Sequence, residues 1–197
     1  YENVIKFATK LLKTNNDFQL LYALSVSYLT LRKYDEAEKF FKRIISFKPT
    51  AENYYIYGNI QKKLKNYSEA SKYFLKAVDL KPDYSEAYNN LGNTKLKLGL
   101  IDEAVENYKK SINSNKNNLQ AYFNLAHLYS EEKNFVDLKK VLQDVLKLDE
   151  NNTTALNDLG YLNLILGNEV EARKLFEKVI NIDDKHVRAF KNYFLIT

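Results

Sequence analysis

One motif is written five times between about residue 18 and residue 186, and it restricts the fold more than any other feature. Its clearest copies are AENYYIYGNIQKKLKNYSEASKYFLKAVDLKPDY (51–84) and SEAYNNLGNTKLKLGLIDEAVENYKKSINSNKNN (85–118). Glycine recurs at Gly58, Gly92 and Gly160, and alanine at Ala37, Ala70, Ala104 and Ala172, at spacings of 33, 34 or 68 residues. A fixed period in the thirties marks a solenoid of stacked units, none of which can bury its apolar face alone. Such a chain displays a long surface and does not build a closed pocket. The expectation is binding, not catalysis.

Each repeat reads as two helices. In the unit 85–118, Tyr88, Leu91 and Leu98 recur at helical spacing until Gly99-Leu100 interrupts them. Ile101, Ala104, Val105, Tyr108 and Ile112 resume the spacing, and polar NSNKNN closes the unit. Gly92 on the first helix and Ala104 on the second let the two backbones approach, with Tyr88 and Tyr108 filling the space beyond. Pro49 and Pro82 end second helices, and Asp35, Ser68 and Asp102 sit where an N-cap or first-turn acid belongs. Two prolines and five glycines in 197 residues leave little to break helices, and 45% hydrophobic residues suffice to pack them. The lack of cysteine excludes a disulfide framework and thiolate chemistry. The longest apolar stretch, Phe18 to Leu31, is too short to span a membrane and carries Gln19, Ser25, Ser27 and Thr30. No signal peptide is visible, so a cytoplasmic setting is favoured. The first residue is Tyr1 and not methionine, which leaves room for upstream segments.

The pattern resembles the tetratricopeptide repeat family along nearly the whole chain. That repeat runs through an aromatic, Leu-Gly, Tyr, Ala, an aromatic and Pro. Tyr54, Gly58, Tyr67, Ala70, Phe74, Ala77 and Pro82 fill those places in one unit, and Tyr88, Leu91, Gly92, Ala104 and Tyr108 in the next. The resemblance implies an all-α fold, a right-handed superhelical solenoid of stacked helix-turn-helix repeats forming a single array over 1–197. Its full units are 18–50, 51–84, 85–118, 119–152 and 153–186. Residues 1–17 look like the second helix of a preceding repeat, with Tyr1 and Val4 where Tyr67 and Ala70 sit. Residues 187–197 look like the first helix of a following one, with Phe190 in the place of Tyr88. Lys95, Gln61 and Asn163 depart from the family by standing where a large aromatic is usual, whereas Tyr28 and Tyr129 conform. Leu138 replaces the small alanine of the second helix and should push apart or rotate the two helices of the fourth repeat.

In this family the first helix of each repeat lines a concave groove that holds extended or helical peptides. The resemblance turns the second, fifth, sixth, ninth, twelfth and thirteenth residues of each unit inward. The expected peptide contacts are Asn59, Asn89, Asn90, Asn93, Asn124, His127, Asn157, Asp158 and Tyr161. Most are carboxamides, whose donor and acceptor can pair with a peptide unit whatever the ligand's side chains are. The ladder is similar to the asparagine ladder in the repeat domain of O-linked N-acetylglucosamine transferase, although asparagine at the sixth place is common throughout the family. The two-carboxylate clamp by which other members hold acidic tails is not expected. Around Asn59 and Asn90 its cation places hold Tyr55, Gln120 and Asn124, and around Asn93 and Asn124 they hold Thr154 and Asp158.

Charge is uneven. Residues 1–118 carry 20 Lys/Arg against 13 Asp/Glu, and residues 119–186 carry 8 against 12. Lys62, Lys63, Lys95 and Lys97 form a basic patch that would meet an acidic stretch of ligand. The other reading is that lysines late in a helix complement its dipole and solubilise the surface. Tyr22, Val26 and Tyr55 are apolar anchors at one end of the groove; Tyr161, Leu164, Ile165 and Leu195 crowd the other. These ends either hold a partner, lie under segments outside this chain, or support self-association.

No catalytic residue, metal site or cofactor is expected. His127 and Glu131 fall one helical turn apart, but two groups do not make a metal site. Neither a phosphate-binding glycine loop nor a nucleophile elbow is present. Nucleic acid is disfavoured, because the net charge of +5 is modest and interleaved with acids, and no base-reading motif occurs. The expected function is a non-enzymatic scaffold that binds a peptide segment of a partner protein, without direct membrane insertion. The alternative is the recruiting arm of a larger enzyme, secretion or membrane-anchored assembly whose working domain lies outside this chain.

Overall fold

The computed structural model describes residues 17–196 together with Asn3, Ile5, Lys6 and Ala8. Helices follow one another in the order α1 (Phe18–Thr30), α2 (Tyr34–Phe47), α3 (Ala51–Lys63), α4 (Tyr67–Leu80), α5 (Ser85–Lys97) and α6 (Ile101–Ser114). The series continues with α7 (Leu119–Glu131), α8 (Phe135–Leu148), α9 (Thr153–Ile165), α10 (Glu169–Ile182) and α11 (Val187–Phe194). No strand occurs among the described residues. The chain is all-α, a run of helix-turn-helix repeats in which 13-residue helices alternate with 14-residue ones as far as α10. Tyr1 and Val4, expected in an earlier repeat, lie outside the described residues. Two compact units result: Tyr1–Asn115, which contains α1 to α6, and Lys116–Thr197, which contains α7 to α11. Within each unit every helix packs against its neighbours in the chain.

The starts and stops are set by side chains and by backbone sign. Asp17, Thr50, Asn118, Asn152 and His186 each accept a hydrogen bond from an amide in the first turn of the helix that follows. These caps satisfy orphan donors that the hydrophobic pattern does not reveal. His186 therefore has a structural role, since its Nδ1 accepts from the Ala189 amide at 3.1 Å. Asp35 and Asp102 lie in the first turns of α2 and α6.

Each 13-residue helix from α1 to α9 ends in the same left-handed cap. The fifteenth residue of the repeat has positive φ: Arg32 at 58°, Lys65 at 64°, Gly99 at 76°, Lys133 at 54° and Gly167 at 77°. The following amide then reaches back five residues, as Asn66 N–H does to the Gln61 carbonyl at 2.9 Å. The left-handed region costs a side chain about 1–2 kcal/mol, from which roughly 0.5–1 kcal/mol is recovered because glycine loses more freedom on folding. Lys65→Gly is accordingly expected to stabilise the first unit by about 0.5–1 kcal/mol, seen as a higher urea midpoint with unchanged slope.

The core follows from large side chains of second helices pressing on small residues of first helices. A Cβ added at Gly58 would lie 2.7 Å from Phe74 Cε1; at Gly92, 2.7 Å from Tyr108 Cε1; at Gly160, 2.6 Å from Phe176 Cε1. Ala70, Ala104 and Ala172, with no exposure, stand beside them in the second helices. The fourth repeat exchanges all three places. It has Ala126 for glycine, Leu138 for alanine and Leu142 for the aromatic, all buried. Its two helices, α7 and α8, make less backbone contact than the pair of any other repeat. Leu138, on the second of them, is buried.

The polar residues at the eleventh place have partners that an aromatic could not supply. Gln61 donates to Glu38 Oε1 at 2.9 Å and accepts from Asn66 Nδ2 at 3.0 Å, and Glu38 also accepts from the Tyr57 hydroxyl. Asn163 accepts from Asn168 Nδ2 and donates to the Leu159 carbonyl. Lys95 pairs with Glu103 at 2.7 Å. In each case the side chain fastens its own helix to the turn or helix that comes next.

Candidate functional site

In the first unit the expected ladder is built around Asn90. Lys62 Nζ approaches its side chain at 2.8 Å, and because an ammonium only donates, the atom it meets is Oδ1. Nδ2 must then point the other way, and it donates to the Tyr55 hydroxyl at 3.1 Å and to Asn59 Oδ1 at 3.0 Å. The sixth place of one repeat is thereby bonded to the fifth, ninth and twelfth places of the repeat before it. Asn90 has used both N–H groups, so its contribution is to joining repeats. Asn93 accepts from the Tyr108 hydroxyl at 2.8 Å, and burial holds that phenol's pKa up at about 12, so it stays a donor.

What this network leaves available is a matched pair of donors. The Nδ2 groups of Asn59 and Asn93 make no hydrogen bond among the described residues, and both side chains are half-buried. No buried side-chain nitrogen or oxygen among these residues lacks a partner, so these nitrogens reach solvent. Asn89 is set apart by burial, at 8% exposure.

The basic patch is divided. Lys62 is half-buried, tied to Asn90 and 5.9 Å above the Phe74 ring, with its pKa lowered first by desolvation and then by Lys63. Lys95 is held by Glu103. Lys63 and Lys97 are exposed. Among the apolar anchors, Tyr22 and Val26 are open to solvent, while Tyr55 is half-buried against Tyr84 and Phe74, 5.0 and 6.0 Å between ring centres.

The second unit holds the remaining expected contacts and a feature that its period does not announce. Asn157 is buried, donating to Asp158 Oδ1 at 3.2 Å and accepting from Asn192 Nδ2 at 3.1 Å. This repeats the link between the fifth place and the next sixth place seen at Tyr55 and Asn90. Asn124 accepts from Gln120 at 3.0 Å. His127 and Glu131 are both exposed and stand 3.4 Å apart. A pocket of about 480 Å³ opens between α7, the start of α8, and α9. Ala126, Leu138 and Leu162 form its base, with Phe123, Phe135 and Ile165 beside them. Its rim brings together His127, Glu131, Asp158 and Tyr161. Burial raises the Asp158 carboxyl's pKa, against the hydrogen bond from Asn157 and the more distant charge of Arg188. A regular array is expected to build no closed pocket; the fourth repeat contributes to an open one, with Leu138 in its lining. Among the described residues no three His, Cys, Asp or Glu side chains converge as metal ligands, and no helix is long and apolar enough to cross a membrane.

Residues 18–50, 85–118, 119–152 and 153–186 match the family profile described as tetratricopeptide repeat, and residues 58–99 match one described as TPR repeat. Among solved structures the chain is similar to YrrB, described as a TPR protein with an unusual peptide-binding site. The identity is 20% and the TM-score 0.70, covering 93% of this chain and 96% of that one. It is similar to MamA, residues 41 to the end, from Desulfovibrio magneticus RS-1, at 21% identity and TM-score 0.72, covering 86% and 96%. It is also similar to the C-terminal part of a TPR repeat-containing protein from Cytophaga hutchinsonii, at 21% identity and TM-score 0.80, covering 98% and 88%. At such identities the likeness is one of fold. No curated protein matches the chain in sequence.

Proposed function

Because this chain belongs to the tetratricopeptide repeat family, we propose that it binds an extended peptide segment of a partner protein along the inward faces of its 13-residue helices. Tetratricopeptide repeats are in general scaffolds for protein–protein contact, and a structural neighbour, YrrB, is described as having a peptide-binding site. The observation that carries the reading is the pair of unengaged amide groups on Asn59 and Asn93. They stand at the ninth place of successive repeats, and each can donate to a peptide carbonyl. The fold uses the oxygen of each amide and leaves the nitrogen to the ligand. The chain itself performs no chemistry in this reading.

The test is a substitution that keeps what the fold uses and removes what the ligand would use. In Asn59→Asp/Asn93→Asp each side chain retains an acceptor oxygen for Asn90 and Tyr108 but loses its donors. Peptides selected on the wild type are expected to bind this variant about tenfold or more weakly by fluorescence anisotropy, since each lost hydrogen bond contributes about 0.5–1.5 kcal/mol. Helix content should not change. Undiminished affinity would overturn the assignment of these two residues.

A further inference from the structure

The pocket of the second unit gives the peptide reading a specificity that the asparagine pair cannot. An amide ladder grips any backbone, so selection among partners must come from side-chain sites. The pocket is one. Its base is apolar, and its volume of about 480 Å³ is within the usual range for pockets that bury a ligand group. Its base includes Ala126 and Leu138, the residues that stand in this repeat where others have glycine and alanine.

The rim decides what must accompany an apolar group. Glu131 is shared with His127, but Asp158 forms no ion pair among the described residues. Its hydrogen bond comes from Asn157, to one oxygen. The raised carboxyl pKa is the sign of an acid that has lost water, and the charge of Arg188 opposes that shift from beyond ion-pair distance. An acidic or neutral neighbour on the ligand would leave that carboxylate uncompensated. A lysine or arginine would supply the missing charge at the place where solvent is already partly excluded.

We infer that this pocket seats one large apolar side chain of the partner peptide, Phe, Leu or Ile, whose neighbouring Lys or Arg pairs with Asp158. The inference rests on the peptide reading of the groove. It adds a recognition element some distance in sequence from Asn59 and Asn93, with its own variants. Asp158→Asn keeps an oxygen for Asn157 and removes the charge. Ser130→Trp fills the pocket mouth from an exposed position on α7 without entering the core.

A phage-displayed library of random 12-residue peptides, selected on the full chain, tests both levels. The wild type is expected to enrich a bulky apolar residue next to Lys or Arg. Selection on Asp158→Asn should lose the basic preference, with affinity for wild-type-selected peptides down about tenfold. Selection on Ser130→Trp should lose the apolar position. Asn59→Asp/Asn93→Asp should enrich the same side-chain pattern at lower affinity. Peptides with no apolar–basic pattern, or with a pattern unchanged in both pocket variants, would overturn the pocket while leaving the peptide groove standing. No enrichment on the wild type would overturn both.

Discussion

Phe74→Ala is expected to destabilise the first unit by about 3–5 kcal/mol, the usual cost of deleting a buried aromatic. Phe74 has no exposed surface, and its ring lies flat enough on α3 that three of its carbons would meet a Cβ at Gly58. It also touches Leu91 and Ala70 in one buried cluster and carries Tyr55 on its outer side. Removing it leaves a void that the two helices cannot simply close, because the Tyr57–Tyr73 and Tyr54–Tyr73 ring contacts also set the spacing of α3 and α4. The Lys62 ammonium, seated over that ring and on Asn90, loses part of its footing as well. Urea unfolding followed by circular dichroism should show the early loss of the first unit, and the second unit should melt near its original midpoint.

Gly58→Ala is expected to lower stability by about 1–2 kcal/mol even though alanine is the better helix former by roughly 1 kcal/mol. The added carbon would fall 2.7 and 2.8 Å from Phe74 Cε1 and Cδ1, so the ring or the helix must move. The fourth repeat shows how the clash is relieved, since Ala126 there faces a second helix bearing Leu142. Gly58→Ala/Phe74→Leu should therefore cost less than the sum of its two single changes, by about 1 kcal/mol or more. A double-mutant cycle measures this. Additive costs would show that glycine at the eighth place serves some purpose other than admitting the ring.

Much of the fold was legible because helical spacing and the period are carried by residues whose size matters: Gly58, Ala70, Gly92 and Ala104 fix the places where helices approach. The caps were less visible. Arg32, Lys65 and Lys133 adopt the left-handed turn that Gly99 and Gly167 advertise, and nothing in a lysine's side chain signals positive φ. His186 as an N-cap could have been suspected only from its place just before an apolar run. The site was legible in position and not in state. The sixth-place asparagine was recognisable as inward, but whether its amide faces a ligand or a neighbour depends on Lys62 and Tyr55, which are distant in sequence and meet Asn90 only once the repeats stack. Asn157 and Asn89 read as groove residues from the family resemblance and proved buried. The pocket was foreshadowed by one residue, Leu138, whose bulk in a place kept small elsewhere was the available signal.

The Asn90 side chain makes all three of its hydrogen bonds with the repeat that precedes it, and Asn192 reaches back to Asn157 in the same direction. The inward faces of the second and fifth repeats are thus completed by the repeat that follows, which gives each of those links a direction along the chain. A chain cut after residue 84 would keep α3 and α4 but expose Lys62 and Tyr55 without the amide that joins them. The same holds on the ribosome, where a repeat's inner surface becomes competent only after the next has been synthesised. Shortening from the C-terminal side therefore removes more binding surface than the residues deleted.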